Sequence, residues 1–460
     1  MQYLSTRGGN DPIGFSDAVM MGQARDGGLL VPKRIPDAGD HIDSWSVLGY
    51  QGLAVEIMRP FVDLSSEELR QIVQRSYAMF AVPEVAPLRH VGPVSILELF
   101  HGPTLAFKDL ALQFLGNLFS HLLAARGGEL NVLTATSGDT GSAAIQGIRG
   151  RDHLSVFVMH PRGRISKSQE LQMTSVLDSN VHNIAIEGTF DDCQGIMKTI
   201  FGDLAFRDRY SLGSANSINW ARVLAQIVYY AYSALRVVKE TGAPGVRVTV
   251  PTGNFGNIFA GYVCARMGLP IRRLILATNE NDILSRFFNT GEYRRSEVAK
   301  TISPAMDIQV ASNFERYLYY HVGGNGERVR DLMLQFAEEH VFRLDPDMIR
   351  HERIVAGSGN TEDTLETIRR YHADHGYLLD PHTAVGVHVA EQHLSEEEPM
   401  VCLATAHPAK FGQAIRDAVG EDLARHPLLE SLEDRETRVD VLPASVDAVR
   451  DYISSRLVAA

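Results

Sequence analysis

Six short apolar runs constrain this chain more than any other feature. They lie at residues 130–136, 154–160, 181–187, 246–251, 273–278 and 400–406. Each is rich in Val, Ile and Leu and nearly continuous rather than alternating, which is how a strand buried on both faces reads. Helical segments separate them. Residues 109–126, for instance, set Leu112, Leu115, Phe119 and Leu122 on one stripe. Strands alternating with helices predict an α/β fold with mostly parallel sheets. Several of the runs end in glycine-containing turns that open a helix. In open α/β sheets, ligands bind at the carboxyl ends of strands, and helix N-termini there offer free N–H groups.

The chain of 460 residues is long enough for about three domains or subdomains. Residues 1–95 read as a mostly helical opening region. A helix is expected over 15–24 and stopped by Gly27-Gly28. A second is expected over 65–80, with Ser65 as cap and Glu68 as its capping-box partner. A small, mobile α/β domain is expected at 130–215, inserted into a larger one made of 96–129 and 216–460. The most membrane-like stretch, 220–238, is interrupted by Arg222, Gln226 and Arg236 and reads as a buried soluble helix.

Charge narrows the partners. The chain has 44 Lys and Arg against 56 Asp and Glu, a net charge of −12. An acidic surface repels phosphate backbones, so nucleic acid is not an expected partner; neither is a membrane. A local pocket can still be positive and take a small anion. Cys193, Cys264 and Cys402 form no CxxC pair, residues 1–14 lack an apolar leader core, and a reduced, cytoplasmic setting is expected. Oligomeric state is not readable.

Five turns carry candidate chemistry. Pro251-Thr252-Gly253-Asn254-Phe255-Gly256-Asn257 lacks the Lys-Ser/Thr ending of a P-loop, yet its two glycines let backbone N–H groups approach an anion. It is either a phosphate cradle or a plain strand-to-helix turn. Thr136-Ser137-Gly138-Asp139-Thr140-Gly141 suits a carboxylate, or is ordinary N-capping by Ser137 or Asp139. Lys108 follows apolar Ala106-Phe107 at a helix start. A lysine in an apolar pocket has a lowered pKa and can bond carbonyl compounds; the alternative is a solvated lysine. Ser217, Asn219 and Arg222 can converge on an anion, or form a capped helix with a surface arginine. Thr405 ends the last run and presents a hydroxyl, or is a buried, backbone-bonded threonine.

Together these segments resemble the threonine synthase family of fold-type II pyridoxal-phosphate enzymes, in its larger microbial and fungal form. The resemblance rests on STRG (5–8), DGGLLVP (26–32), HGPTLAFKD (101–109), TATSGDTGSAA (134–144), SANSINWARVLAQ (214–226), VPTGNFGN (250–257), DPHTAVG (380–386) and TAHPAKF (405–411), in the family's order. It implies that Lys108 bonds pyridoxal phosphate, that Gly253, Asn254, Phe255, Gly256 and Asn257 cradle the cofactor phosphate, and that Thr405 meets the pyridine nitrogen. Ser137 and Thr140 would hold the substrate carboxylate, with Asp139 near the cofactor's 3′ oxygen. The implied substrate is O-phospho-L-homoserine, its phosphate met by Ser217, Asn219, Arg222 and Lys167. The implied reaction is γ-elimination of phosphate followed by β-addition of water, giving L-threonine.

Three rival readings remain. A phospho-lyase on the same scaffold would release keto acid, phosphate and ammonia. A metal hydrolase would use His372, His375, His382 and His388, but these lack a recognised ligand spacing, so no metal is expected. A non-catalytic binding protein on the same fold would have lost Lys108.

Overall fold

The computed structural model describes residues 1–350 and 353–457. A six-stranded sheet forms the larger half. Its strands run in the order Ile354–Ser358, Ile271–Thr278, Val246–Pro251, Met400–Ala404, Val94–Glu98 and Leu88–Val91. All neighbours are parallel except the last pair, a hairpin. The hairpin begins at Leu88, inside the opening region that the sequence division ended at 95.

A second sheet of five strands runs Asp440–Pro443, Val181–Glu187, Leu154–Pro161, Leu130–Ala135 and Leu212–Gly213, parallel throughout. The sequence division placed 216–460 wholly in the larger unit. The register corrects this for the tail: Val441 and Leu442 face Ala185 and Ile186, and the helix Val446–Leu457 packs over the same sheet through Val449 and Ile453. The reason is edge pairing. Val181–Glu187 has a free edge that residues 130–215 alone cannot cover, and a late strand fills it.

The opening region docks on this core. Tyr3–Ser5 pairs antiparallel with Leu30–Pro32. The first helix, Phe15–Met21, stops earlier than the expected 24, because Gly22 takes a positive φ of 70° at its C-terminus. The helix Ser66–Tyr77 has the expected reciprocal capping box between Ser65 and Glu68.

Two long helices fill the centre. Trp220–Thr241 buries 17 of its 22 residues, Trp220 and Tyr229 completely. Each large apolar side chain so buried stabilises the fold by roughly 1.5–3 kcal/mol before entropy is counted. Lys108–Arg126 packs beside it and crosses the helix Asp139–Ile148 at a glycine pair. A Cβ on Gly116 would stand 1.9 Å from the carbonyl oxygen of Gly147, so this crossing demands glycine. Among the described residues, no helix is long and apolar enough to cross a membrane.

Candidate active site

The three central parallel strands of the larger sheet, Val246–Pro251, Met400–Ala404 and Val94–Glu98, are adjacent. Their carboxyl ends lead into the glycine-rich loop, Thr405 and the Lys108 segment. Motifs distant in sequence therefore meet on one edge. Leu105, at φ 60°, turns the chain so that it zips onto the 405–407 segment. The Phe107 N–H donates to the Thr405 carbonyl at 2.9 Å, and the His407 N–H donates to the Leu105 carbonyl at 3.0 Å. Lys108 follows as the first residue of its helix. Asp109 is fully buried and accepts from the Thr104 N–H and hydroxyl at 2.8 and 2.7 Å. Burial pushes its carboxyl up to about 6.

Lys108 Nζ lies 3.4 Å from Asp139 Oδ2 and 5.0 Å from the centre of the Phe107 ring. Burial lowers its pKa, Asp139 opposes that, and Lys410 and Arg222 push it further down. Asp139 is tied more tightly elsewhere. Its Oδ1 accepts from Lys410 Nζ at 2.8 Å and from Gln169 Nε2 at 2.9 Å. Burial would raise this carboxyl, but Lys410 and Lys108 outweigh it and hold it well below the usual carboxylate range. Asp139 is therefore an anion, which the sequence left open. Neither Lys410 nor Gln169 stood out in sequence. The one available signal was that Lys410 stands between apolar Ala409 and Phe411 in the quoted TAHPAKF segment.

The glycine-rich loop packs closely against the backbone of 305 and 306. A Cβ on Gly253 would lie 2.4 Å from the Ala305 carbonyl oxygen. Phe255 adopts a left-handed φ of 63° at the start of the helix Gly256–Arg266. Its ring points away from the loop into an aromatic cluster, with Phe288 and Phe314 at 6.0 and 5.3 Å between centroids. Its share in the cradle is thus backbone. The first N–H groups of a helix have no intrahelical acceptor and are free for an anion. Asn257 Oδ1 accepts from the Tyr229 and Tyr230 hydroxyls, while its Nδ2 is buried without a partner.

Residues 312–316, which lie in none of the segments quoted above, lock the loop. Asn313 donates to the Asn254 carbonyl from its backbone N–H at 3.0 Å and from Nδ2 at 3.2 Å, and Nδ2 also reaches Ser217 Oγ at 3.1 Å. Ser312 Oγ lies 3.3 Å from Ser217 Oγ and donates to Asn254 Oδ1 at 3.2 Å. Arg316, fully buried, donates to Asn313 Oδ1 and to the Leu30 and Ile218 carbonyls. The segment 380–386 supports the neighbouring strand end. Asp380 accepts from Thr383 Oγ1, which accepts from the Thr405 N–H at 3.3 Å. His382 Nε2 accepts from the Ala305 N–H at 3.2 Å, so its proton sits on Nδ1, 2.8 Å from Asp380 Oδ1.

The remaining candidates divide. Thr136, rather than Ser137 or Asp139, closes the second turn: its hydroxyl accepts from the Gly138 and Gly141 N–H groups, both at 2.9 Å. Ser137 is exposed, Thr140 is half-buried, and no described side chain claims either hydroxyl. Arg222 is 3 % exposed and pairs with no carboxylate among the described residues. It donates to the Ala215 carbonyl at 3.0 Å, its Nε is unpartnered, and burial pushes it down to about 10. Asn219 is not brought into the pocket. It caps the helix Trp220–Thr241, accepting from the Ala221 N–H, and its Nδ2 donates to the Val19 carbonyl at 2.9 Å. Lys167 is exposed at the start of the helix Lys167–Thr174 and touches none of the other candidates. The four histidines do not gather. His372 and His375 end a helix, His382 is spent on Asp380, and His388 lies beside Gln392.

These residues fit pyridoxal phosphate. The N–H groups at the start of the helix Gly256–Arg266 suit its phosphate, the orphaned Asn257 amide adds a donor, no hydrogen bond to the Thr405 hydroxyl is made among the described residues, and Lys108 is a mostly buried amine of lowered pKa. Comparison with known proteins agrees. A family model described as pyridoxal-phosphate dependent enzyme matches residues 83–361. Models of the threonine synthase N terminus and C-terminal regions match 2–77 and 383–453. Threonine synthase of Pseudomonas aeruginosa is 46% identical, with 99% of this chain and 98% of the relative covered. That of Schizosaccharomyces pombe is 43% identical over 98% and 94%. A PLP-bound threonine synthase from Brucella melitensis superposes with a TM-score of 0.94 at 44% identity, covering 99% of each chain. The chain belongs to the threonine synthase family of pyridoxal-phosphate-dependent enzymes.

Proposed function

We propose that this chain converts O-phospho-L-homoserine and water to L-threonine and phosphate. The observation that carries the reading is the pairing of two unlike anion sites. One is a neutral cradle of backbone N–H groups at 253–257. The other is Arg222, a buried cation with an unpartnered Nε whose charge lowers the pKa of Lys108. A cofactor phosphate suits the first, and the phosphate of the substrate suits the second.

Bound pyridoxal phosphate supplies an electron sink for charge that develops on the substrate carbons. The chain's own residues do the rest. Ser137 and Thr140, at the positive end of the helix Asp139–Ile148, orient the substrate carboxylate. Lys108 Nζ, its pKa lowered by burial, takes the proton from the substrate Cα and later returns one. Arg222, with Ser217 beside the cradle, holds the phosphate as it leaves Cγ, and water then adds at Cβ. Thr405 offers a neutral hydroxyl to the pyridine nitrogen. Asn219 takes no part, because its Oδ1 caps the helix and its Nδ2 holds the Val19 carbonyl. Lys167, at the exposed start of its helix, is given no part in these steps.

The test is product analysis. With O-phospho-L-homoserine and added pyridoxal phosphate, threonine and inorganic phosphate should form in equal amounts, and Lys108→Ala should abolish turnover. Keto acid and ammonia in place of threonine would establish the phospho-lyase reading instead.

A further inference from the structure

Lys410 is buried to the last atom, and none of the steps above uses it. Its side chain is 0% exposed, and its ammonium donates to the Thr104 carbonyl at 2.8 Å and pairs with Asp139 Oδ1 at 2.8 Å. Its own backbone is fixed by a bond to the His407 carbonyl at 3.1 Å. Gln169 also donates to Asp139 Oδ1. The carboxylate thus gives its closely held oxygen to Lys410 and Gln169. Lys108 has only a 3.4 Å approach to Oδ2. Lys410 and Lys108 both act on this one carboxylate, while Lys410 and Arg222 both act on Lys108. Asp109, the other acid near Lys410, is satisfied by Thr104.

A buried carboxylate facing a single lysine would hold that lysine as an ammonium. Attaching the cofactor needs the opposite state. The lone pair of neutral Nζ attacks the aldehyde carbon, a carbon–nitrogen double bond forms, and one water leaves, the ammonium proton having gone to solvent. We propose that Lys410 is a positioning residue that holds the Asp139 carboxylate as its own counter-ion, so that Lys108 can lose its proton and bond the cofactor. Lys410 keeps Asp139 charged, and its repulsion favours the neutral Lys108 amine. The sequence distance of about 300 residues between the two lysines is bridged by the zipper of 105–107 onto 405–407.

The inference rests on Lys108 being the lysine that bonds the cofactor. The measurement is covalent capture of pyridoxal phosphate by the full chain stripped of cofactor. It is followed by absorbance across pH and checked by mass after borohydride fixation. Lys410→Met should move the midpoint of capture to higher pH by about one unit or more, the effect of removing a like charge and releasing an opposite one a few Å away. Asp139→Asn together with Lys410→Met should bring the midpoint back toward that of the unmodified chain. A Lys410→Met midpoint equal to or below the unmodified one overturns the proposal. If Lys410→Met does not fold, Asp139→Asn alone should capture at lower pH than the double variant, and coincident midpoints overturn it. Lys108→Ala separates the two readings. Loss of capture at every pH supports Lys108 as the bonding lysine, whereas persistent capture overturns that assignment and this proposal with it.

Discussion

Arg222 and Asp109 are the two buried charged residues whose environments give the sharpest expectations at the scale of one side chain. Arg222 has no acidic partner among the described residues, so removing it strands none of their carboxylates. Arg222→Ala should raise KM for the phosphorylated substrate about 10- to 100-fold, the span of one charge-assisted contact. Cofactor affinity should hardly move, because the proposed phosphate cradle at 253–257 is a separate site. Steady-state kinetics beside a cofactor titration reads both, and an unchanged KM removes Arg222 from the substrate site. Asp109 bears on stability. Its carboxyl rises from 3.8 to about 6 on folding, with burial as the main cause. A raised acid favours the protonated folded form. Its contribution is full below the unfolded value and is lost as pH rises through about 6. Asp109→Asn removes that loss, so the Tm of the variant relative to the parent should climb between pH 4 and pH 7. A flat difference across that window contradicts the assignment.

Among the secondary-structure elements, the contact between Lys108–Arg126 and Asp139–Ile148 matters most for the site, because each helix begins at a member of the Lys108–Asp139 pair. Their crossing is set by Gly116 against Gly147. Gly116→Ala should cost about 1–3 kcal/mol by overpacking. Because it shifts two helix starts, it should also weaken cofactor binding. Gly195→Ala, in the helix Phe190–Gly202, is the control. Nothing lies within 4 Å of its added Cβ, and the helix should gain up to about 1 kcal/mol. Thermal unfolding of the two variants decides whether space or helix propensity governs these glycines.

Across the whole molecule, the tail is the unexpected part. Residues 440–457 complete the edge of the five-stranded sheet, and Arg450 pairs with Asp203 at 2.8 Å. A chain ending at 439 would expose the Val181–Glu187 edge and the apolar surface that Val449 and Ile453 cover. Such a chain should unfold at lower temperature and aggregate on concentration, as seen by light scattering. The six-stranded sheet should keep its own core.

The sequence by itself determined the local and periodic features. Continuous apolar runs, a capping box at Ser65 and small-residue turns at strand ends are encoded within a few residues, and the six strands read from apolar runs stand within two residues of where they were expected, whereas Leu88–Val91, Val94–Glu98, Ile354–Ser358 and Asp440–Pro443 were not read. The resemblance carried Lys108 and Gly253–Asn257 further than spacing did. Tertiary structure decided what depends on long-range pairing. Thr136 closes its turn in place of Ser137, Asn219 turns toward Val19, Lys410 claims Asp139, and Asn313 with Arg316 braces a loop some 60 residues earlier. Those outcomes follow from which strand ends lie side by side and from the need of each buried polar group for a partner. Neither condition is written in the neighbouring residues, so the pairing around Lys108 became readable only once Lys410 stood beside Asp139.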